Sequence, residues 1–85
     1  MAITVTLRFF AGIREAVGHG SEAFATDAHD AASLRDALIA RGEPYAGALA
    51  RGKPVRIAVD QHMGDESRVL HEGAEVAFFP PVTGG

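Results

Sequence analysis

The last eight residues of the chain carry its most distinctive chemistry, and they read Phe78-Phe79-Pro80-Pro81-Val82-Thr83-Gly84-Gly85. Glycine has no Cβ, so a Gly-Gly end can pass through an enzyme channel too narrow for other residues. Proline fixes φ and favours an extended path, so the stretch from Pro80 to Gly85 could reach about 20 Å into a partner. The only distinctive group at its end is the Gly85 carboxylate. We therefore predict an extended tail over residues 80–85 that presents this carboxylate to an enzyme.

The alternative is a frayed terminus without chemistry, which is common in proteins. Fraying gives no reason for the aromatic pair and the proline pair that precede the glycines. Deleting Gly84 and Gly85 separates the two interpretations, because a carrier would lose its function and a plain interaction module would keep it.

Other residues that could do chemistry are better explained by structure. The histidines stand in separate predicted loops, without the short spacing of zinc-ligand pairs, so we predict solvated side chains and no metal site: His19, His29, His62 and His71. Three aspartates surround a predicted helix start, where capping and the helix dipole account for them: Asp27, Asp30 and Asp36. No nucleophile motif or phosphate-loop spacing is present. We expect no self-contained active site.

Composition limits the function classes further. A chain of 85 residues with 47% hydrophobic and 22% charged residues is typical of one small globular domain, which favours a carrier or binding module over an enzyme with a deep pocket. A net charge of −3 with scattered cations disfavours nucleic-acid binding. No apolar run is long enough for a membrane helix. The absence of cysteine and of a secretory signal predicts a cytoplasmic protein.

Hydrophobic periodicity predicts the elements that must position the tail. Ile3, Val5, Leu7 and Phe9 alternate with polar residues and predict a strand whose apolar side faces the core. Further along we expect a helical turn at 11–17, a weaker strand at 21–25, a helix at 31–41, a short helix at 45–50, a strand at 55–59, a turn at 60–64 and a last strand at 75–79. The main helix should begin after Asp30 and pack its sheet-facing stripe through Ala31, Leu34, Ala37, Leu38 and Arg41.

This order predicts an α+β fold with one main helix on a mixed sheet. If the first strand pairs parallel with the last, the result is a β-grasp, or ubiquitin-like, roll. We accordingly expect a single β-grasp domain over residues 1–79 and a flexible Gly-Gly tail over residues 80–85, which leaves the end of a central strand.

Strand alternation also leaves three large apolar residues outside the core, namely Phe10, Met63 and Phe79. Phe10 and Phe79 should converge near the root of the tail, since the first and last strands would be neighbours. Aromatic residues and methionine are enriched at the centres of protein interfaces. Single exposed apolar residues are common, but two converging beside a tail favour an interface.

Four segments resemble the MoaD/ThiS family of ubiquitin-like sulfur carriers. The tail with its preceding strand, residues 76–85, looks like the family's C-terminal signature, and residues 7–15 are similar to its first strand and turn. Residues 58–61 and 70–75 resemble the middle-strand motif and the turn before the last strand. Within the family, the Phe-Phe-Pro-Pro lead-in is closer to the carrier subunit of molybdopterin synthases.

The resemblance implies that Gly85 is the reacting residue, with Gly84 beside it. An ATP-dependent adenylating enzyme (MoeB in this family) would convert the Gly85 carboxylate to an acyl-adenylate, and a sulfur donor protein would supply the thiocarboxylate. A large subunit (MoaE) would take up the tail, and the sulfur would attack cyclic pyranopterin monophosphate to build the molybdopterin dithiolene. The chain would be the sulfur-donating subunit of a heterotetrameric sulfurtransferase, with no cofactor of its own.

The resemblance also implies partner contacts through a set of apolar and tail residues, namely Phe10, Met63, Phe79, Pro80, Pro81, Val82 and Thr83. Three alternatives remain. The same chemistry could serve thiamine synthesis, cysteine synthesis or tRNA thiolation. The tail could be conjugated to lysines as ubiquitin is. The chain could also be a non-catalytic ubiquitin-like interaction module.

Overall fold

The computed structural model describes residues 2–81, so Met1 and residues 82–85 lie outside the described part of the chain. Its elements are β1 (Ile3–Phe9), α1 (Ala11–Val17), β2 (Ser21–Thr26), α2 (Ala31–Ile39), α3 (Tyr45–Ala48), β3 (Arg56–Val59), β4 (His62–Gly64) and β5 (Glu75–Phe79). Each predicted helix and strand is present, with ends that differ by at most two residues.

The five strands form one mixed sheet in the order β2-β1-β5-β3-β4. β1 and β5 are parallel neighbours, with Phe9 opposite Phe78, whereas β2 pairs antiparallel with β1 and β3 pairs antiparallel with both β4 and β5. The chain reaches β5 from β1 by a long crossover that contains the helices. This topology confirms the predicted α+β, β-grasp fold and makes β5 the central strand.

The core lies between the sheet and α2. Val5, Leu7 and Phe9 of β1 are almost completely buried, as alternation predicts. Phe9 and Phe78 stack with ring centroids 6.0 Å apart. Each large apolar side chain removed from water in this way stabilises the fold by roughly 1.5–3 kcal/mol. Because side chains alternate along a strand, burial of Phe78 turns Phe79 to the opposite face of the sheet.

Helix α2 begins as predicted and differs from prediction at its other end. The Asp30 carboxylate accepts a hydrogen bond from the Ser33 backbone N–H at 2.8 Å, which caps the helix. The helix ends at Ile39 instead of residue 41, and Arg41 is exposed, so its predicted place on the packed stripe is wrong. Arg35 is buried on that side instead, with 3% exposure.

Arg35 is buried because its guanidinium holds the chain segment that follows α3. It donates hydrogen bonds to three backbone carbonyl oxygens, those of Leu49 at 2.8 Å, Ala50 at 2.7 Å and Lys53 at 3.1 Å. Its remaining donor contacts the Glu66 carboxylate at 2.9 Å. Buried charge is tolerated when it is paired and fully hydrogen-bonded. Arg35 therefore fixes the path of residues 49–53.

A fifth strand occupies part of the segment predicted as a turn. Only Asp60 and Gln61 form the turn, both with positive φ, at +51° and +69°. They join Val59 to His62 as a two-residue hairpin loop, the geometry of primed turns. His62–Gly64 then pairs with β3. The predicted turn is therefore confirmed at residues 60–61 and wrong at residues 62–64, where the edge strand is short and exposed and has no apolar alternation to indicate it.

Candidate partner-binding site at the root of the tail

The end of β5, from which the tail continues, is held on both sides. Phe79 lies opposite Arg56 of β3, and the Phe10 backbone N–H donates to the Phe78 carbonyl oxygen at 3.1 Å. Hydrogen bonding to both neighbouring strands makes this end part of the rigid sheet. The residues that follow, beginning with Pro80, therefore leave from a fixed position.

Phe10 and Phe79 form an aromatic pair at this position, in which Phe10 is exposed and Phe79 is half-buried. Their ring centroids are 6.2 Å apart and the rings are nearly perpendicular, an edge-to-face contact that is favourable for aromatic side chains. Phe10 is 41% exposed. The Arg8 guanidinium lies 5.6 Å from the Phe10 ring centroid and also contacts Glu75. The predicted convergence of the two phenylalanines is confirmed, and their role in partner binding stays a prediction.

Met63 extends the apolar surface across the face of the sheet that carries no helix, which we call the open face. It is 52% exposed and lies opposite Ala58 of β3. Ala58 in turn lies opposite Ala77 of β5, next to Phe79. Two strand spacings, about 10 Å, separate the lines of Met63 and Phe79. On the open face, Met63 and the aromatic pair are therefore joined by Ala58 and Ala77, and the charged side chains of Arg8, Glu75 and Arg56 lie around them.

The remaining predicted site residues divide between the described and undescribed parts of the chain. Pro80 and Pro81 are half-buried. Four residues lie outside the described residues, so their predicted roles stay predictions: Val82, Thr83, Gly84 and Gly85.

Sequence reasoning missed the distribution of paired and unpaired cations. Four arginines form ion pairs with acidic residues: Arg8, Arg35, Arg41 and Arg51. Within residues 2–81, four other cations make no ion pair: Arg14, Lys53, Arg56 and Arg68. Arg56 lies opposite Phe79, and Lys53 lines a groove with Pro80. Two cations that have no ion pair among the described residues therefore flank the root of the tail.

The titratable groups elsewhere have structural contacts of their own. His71 Nε2 lies 2.6 Å from the Asp60 carboxylate, and this hydrogen bond raises the pKa of His71 above its ordinary value of 6.5. His19 contacts Glu22 at 2.8 Å and is half-buried against Phe9, so the prediction of a solvated loop side chain is wrong for it. No group of three potential metal ligands converges anywhere in residues 2–81.

Two predictions about side chains near α2 and β4 also need correction. Asp36 does not cap the helix, because it lies in the middle of α2 and pairs with Arg51 at 2.8 Å. His62 lies in strand β4, not in a loop.

In the described part of the chain, the helices are too short to traverse a lipid bilayer.

Comparisons with known proteins agree with this architecture. The chain matches the ThiS family over residues 7–85. It is 41% identical over 81 residues to the molybdopterin synthase sulfur carrier subunit of Escherichia coli K12, covering 95% of this chain and 99% of that protein. It is 38% identical over 77 residues to the protein of the same name from Haemophilus influenzae, covering 91% and 94% respectively.

Among solved structures, the chain is similar to one in the protein–protein complex of subunits 1 and 2 of molybdopterin-converting factor from Helicobacter pylori 26695. The TM-score is 0.63 at 30% identity, with 98% of this chain and 100% of that chain covered. The alignments cover at least 94% of the length of each of these three relatives. The family match over residues 7–85 and the identity to these relatives show that the chain belongs to the ThiS family. This is the MoaD/ThiS family that its sequence resembles.

Proposed function

We propose that this chain is the sulfur-carrier subunit of a molybdopterin synthase. One observation carries the carrier role: the central strand β5 ends beside the aromatic pair, and the chain continues from there into Pro80-Pro81 and the Gly-Gly end. Relatives named as molybdopterin synthase sulfur carrier subunits, at 38–41% identity, support the choice of pathway.

The proposed chemistry begins with the Gly85 carboxylate, which is a poor electrophile until its oxygen becomes part of a good leaving group. An ATP-dependent adenylating enzyme supplies that group, forming the acyl-adenylate and releasing pyrophosphate. A sulfur donor then displaces AMP and leaves a thiocarboxylate at Gly85. The large subunit takes up the tail, and the thiocarboxylate sulfur attacks cyclic pyranopterin monophosphate to give a thioester. Water then cleaves the acyl–sulfur bond, which leaves the sulfur on the pterin and regenerates the Gly85 carboxylate. Two such transfers complete the dithiolene.

The described residues contribute docking and orientation to this chemistry. The hydrogen-bonded end of β5 fixes where the tail begins, and a fixed origin lowers the entropy lost when the tail enters a channel. The aromatic pair and Met63 supply an apolar contact surface of the kind that concentrates binding energy in interfaces. One surface next to the tail can serve the adenylating enzyme and the large subunit in turn.

Intact-mass spectrometry tests the proposal directly. The protein is incubated with ATP, the cognate adenylating enzyme and a sulfur source. We expect a mass gain that corresponds to replacement of one oxygen by sulfur. The matched control is the chain without Gly85, which should show no gain. If the full chain gains no mass while the same enzyme activates another carrier, the proposal is wrong and the interaction-module alternative takes its place.

The pathway needs a second measurement, because carriers for thiamine, cysteine or tRNA thiolation would give the same mass gain. The thiocarboxylated protein is mixed with the cognate large subunit and cyclic pyranopterin monophosphate. Formation of molybdopterin supports the proposed pathway. Sulfur that stays on the carrier in this assay, while it is accepted by an enzyme of another thiolation pathway, would contradict it.

A further inference from the structure

A second surface lies beside the root of the tail, on the helix side of the sheet. It is a groove of about 280 Å³ lined almost entirely by apolar atoms and small side chains: Gly12, Ile13, Ala16, Ala48, Lys53, Pro54, Val55 and Pro80. We call it the tail-root groove. Because Pro80 forms part of its wall, the groove and the tail meet at the same residue. The aromatic pair lies on the other face of the sheet.

Lys53 is the charged residue of this lining. It is exposed and makes no ion pair within residues 2–81. It is also the only lysine in the chain. An apolar groove with one unpaired cation at its wall is complementary to an apolar side chain that has a carboxylate next to it.

The wall that carries Lys53 is anchored to the core. The buried Arg35 guanidinium donates to the Lys53 carbonyl oxygen and to the carbonyl oxygens of Leu49 and Ala50. Arg51 adds a hydrogen bond to the Ala32 carbonyl oxygen at 2.9 Å. A surface held in this way loses little conformational entropy when a partner binds. The groove is therefore preformed by contacts that would exist without any partner.

We propose that the tail-root groove is a second docking surface for the large subunit, and that its occupant is a segment with an apolar side chain adjacent to an aspartate or glutamate. This proposal rests on the proposed function. Phe79 lies on the open face and Pro80 lines the groove, so a protein that surrounds the tail at its root would meet both faces of the sheet. The aromatic pair accounts for one face, and the groove with Lys53 accounts for the other. Arg56, on the open face opposite Phe79, gives that side an unpaired cation as well.

Titration calorimetry with the cognate large subunit tests the proposal through two variants. Lys53→Glu reverses the charge at the groove, and Ala16→Arg fills it from an exposed position on α1. We expect each to weaken binding at least tenfold at low salt, and Lys53→Arg to retain wild-type affinity. Affinity of the wild type should fall with added salt, and that dependence should shrink in Lys53→Glu. Thermal melts should match the wild type.

The matched control is Arg14→Glu, which makes the same change of charge as Lys53→Glu and lies on α1, the helix that carries Ala16. The Arg14 side chain packs against Gly20 and does not line the groove, so binding should change less than twofold. Unchanged affinity in both groove variants overturns the proposal. It is also overturned if these variants bind the adenylating enzyme more weakly but keep wild-type affinity for the large subunit. Titration of Phe79→Ala shows which of the proposed docking surfaces is wrong. If this substitution weakens the complex while the groove variants do not, only the groove assignment fails; if no variant changes the affinity, both docking assignments fail, and the mass-spectrometry assay decides the carrier function separately.

Discussion

Two regions of the molecule are rich in cations: the segment after α3 and the root of the tail. In the first the cations are ion-paired and hydrogen-bonded, and in the second they are exposed. In the first region Arg35 is buried, and with Arg51 it shares the Glu66 carboxylate and binds backbone carbonyls around residues 49–53. At the tail root Lys53 and Arg56 are exposed and have no ion pair among the described residues. The two regions meet at Lys53, whose backbone carbonyl oxygen accepts a hydrogen bond from Arg35 and whose side chain has no ion pair within residues 2–81.

The contrast separates two uses of charge. Satisfied and buried cations fix the backbone, so changes to them should appear in the free energy of unfolding. Exposed and unpaired cations contribute little to stability and are available for a partner, so changes to them should appear in binding. The aromatic pair belongs with the second group, since Phe10 and Phe79 are not part of the buried core.

The largest effect should come from the end of the tail. One residue added after Gly85 removes the glycine carboxylate that has to be activated and lengthens the part that must fit a channel. We expect sulfur transfer to be abolished in a reconstituted assay, with an unchanged melting temperature. One residue added before β1 serves as the control and should leave transfer intact. Transfer by the C-terminally extended protein would remove the terminal carboxylate from the mechanism.

Arg35→Ala should cause the largest loss of stability. It leaves the buried carbonyl group of Leu49 without its donor, removes hydrogen bonds to the carbonyl groups of Ala50 and Lys53, and takes away the partner of Glu66, so we expect a loss of about 3 kcal/mol. Urea unfolding followed by circular dichroism measures it. Arg56→Ala, which removes an exposed cation, is the matched control and should change stability by less than about 0.5 kcal/mol. Equal losses in the two variants would erase the distinction between the regions.

Phe79→Ala should weaken the complex with the large subunit by about 2 kcal/mol, as truncation of a central interface aromatic does. Calorimetric titration gives the affinity directly. Val69→Ala provides the control, because Val69 is 74% exposed and lies outside the open face, and we expect no measurable change. Wild-type affinity in Phe79→Ala would exclude the aromatic pair as the docking surface.

The smallest expected effect is a pH dependence of stability that arises from the His71–Asp60 pair, which lies away from both regions. Its hydrogen bond to Asp60 raises the pKa of His71 above 6.5, so the contribution of this pair to stability is fully present below pH 6.5 and is lost as pH rises through the folded-state pKa. In an NMR titration of the His71 ring, Asp60→Asn should lower the pKa towards 6.5. Affinity for the large subunit should not follow this titration, since the pair lies at the end of the sheet opposite the tail. A parallel change in affinity would link the two ends.

Periodicity predicted what depends on local pattern and missed what depends on tertiary contacts. Alternation in β1 and β5 was enough to place Phe10 and Phe79 together, because their positions follow from strand pairing. It could not predict the burial of Arg35, since an arginine in an amphipathic helix is typical of the solvent face. The carbonyl groups of residues 49–53 and the Glu66 carboxylate that stabilise it inside are distant in the sequence. Strand β4 has no apolar alternation to reveal it, and the turn at Asp60 and Gln61 lacks the usual glycine.

The parallel pairing of β1 with β5 has a practical consequence for anyone who handles this protein. Since Phe9 lies beside Phe78, the start of β1 is six residues away along the strand, roughly 20 Å from the tail root. An affinity tag or fluorophore joined ahead of Ile3 would therefore project from the far end of the sheet and leave both the aromatic pair and the groove uncovered. Any label that must report on docking without obstructing it belongs there.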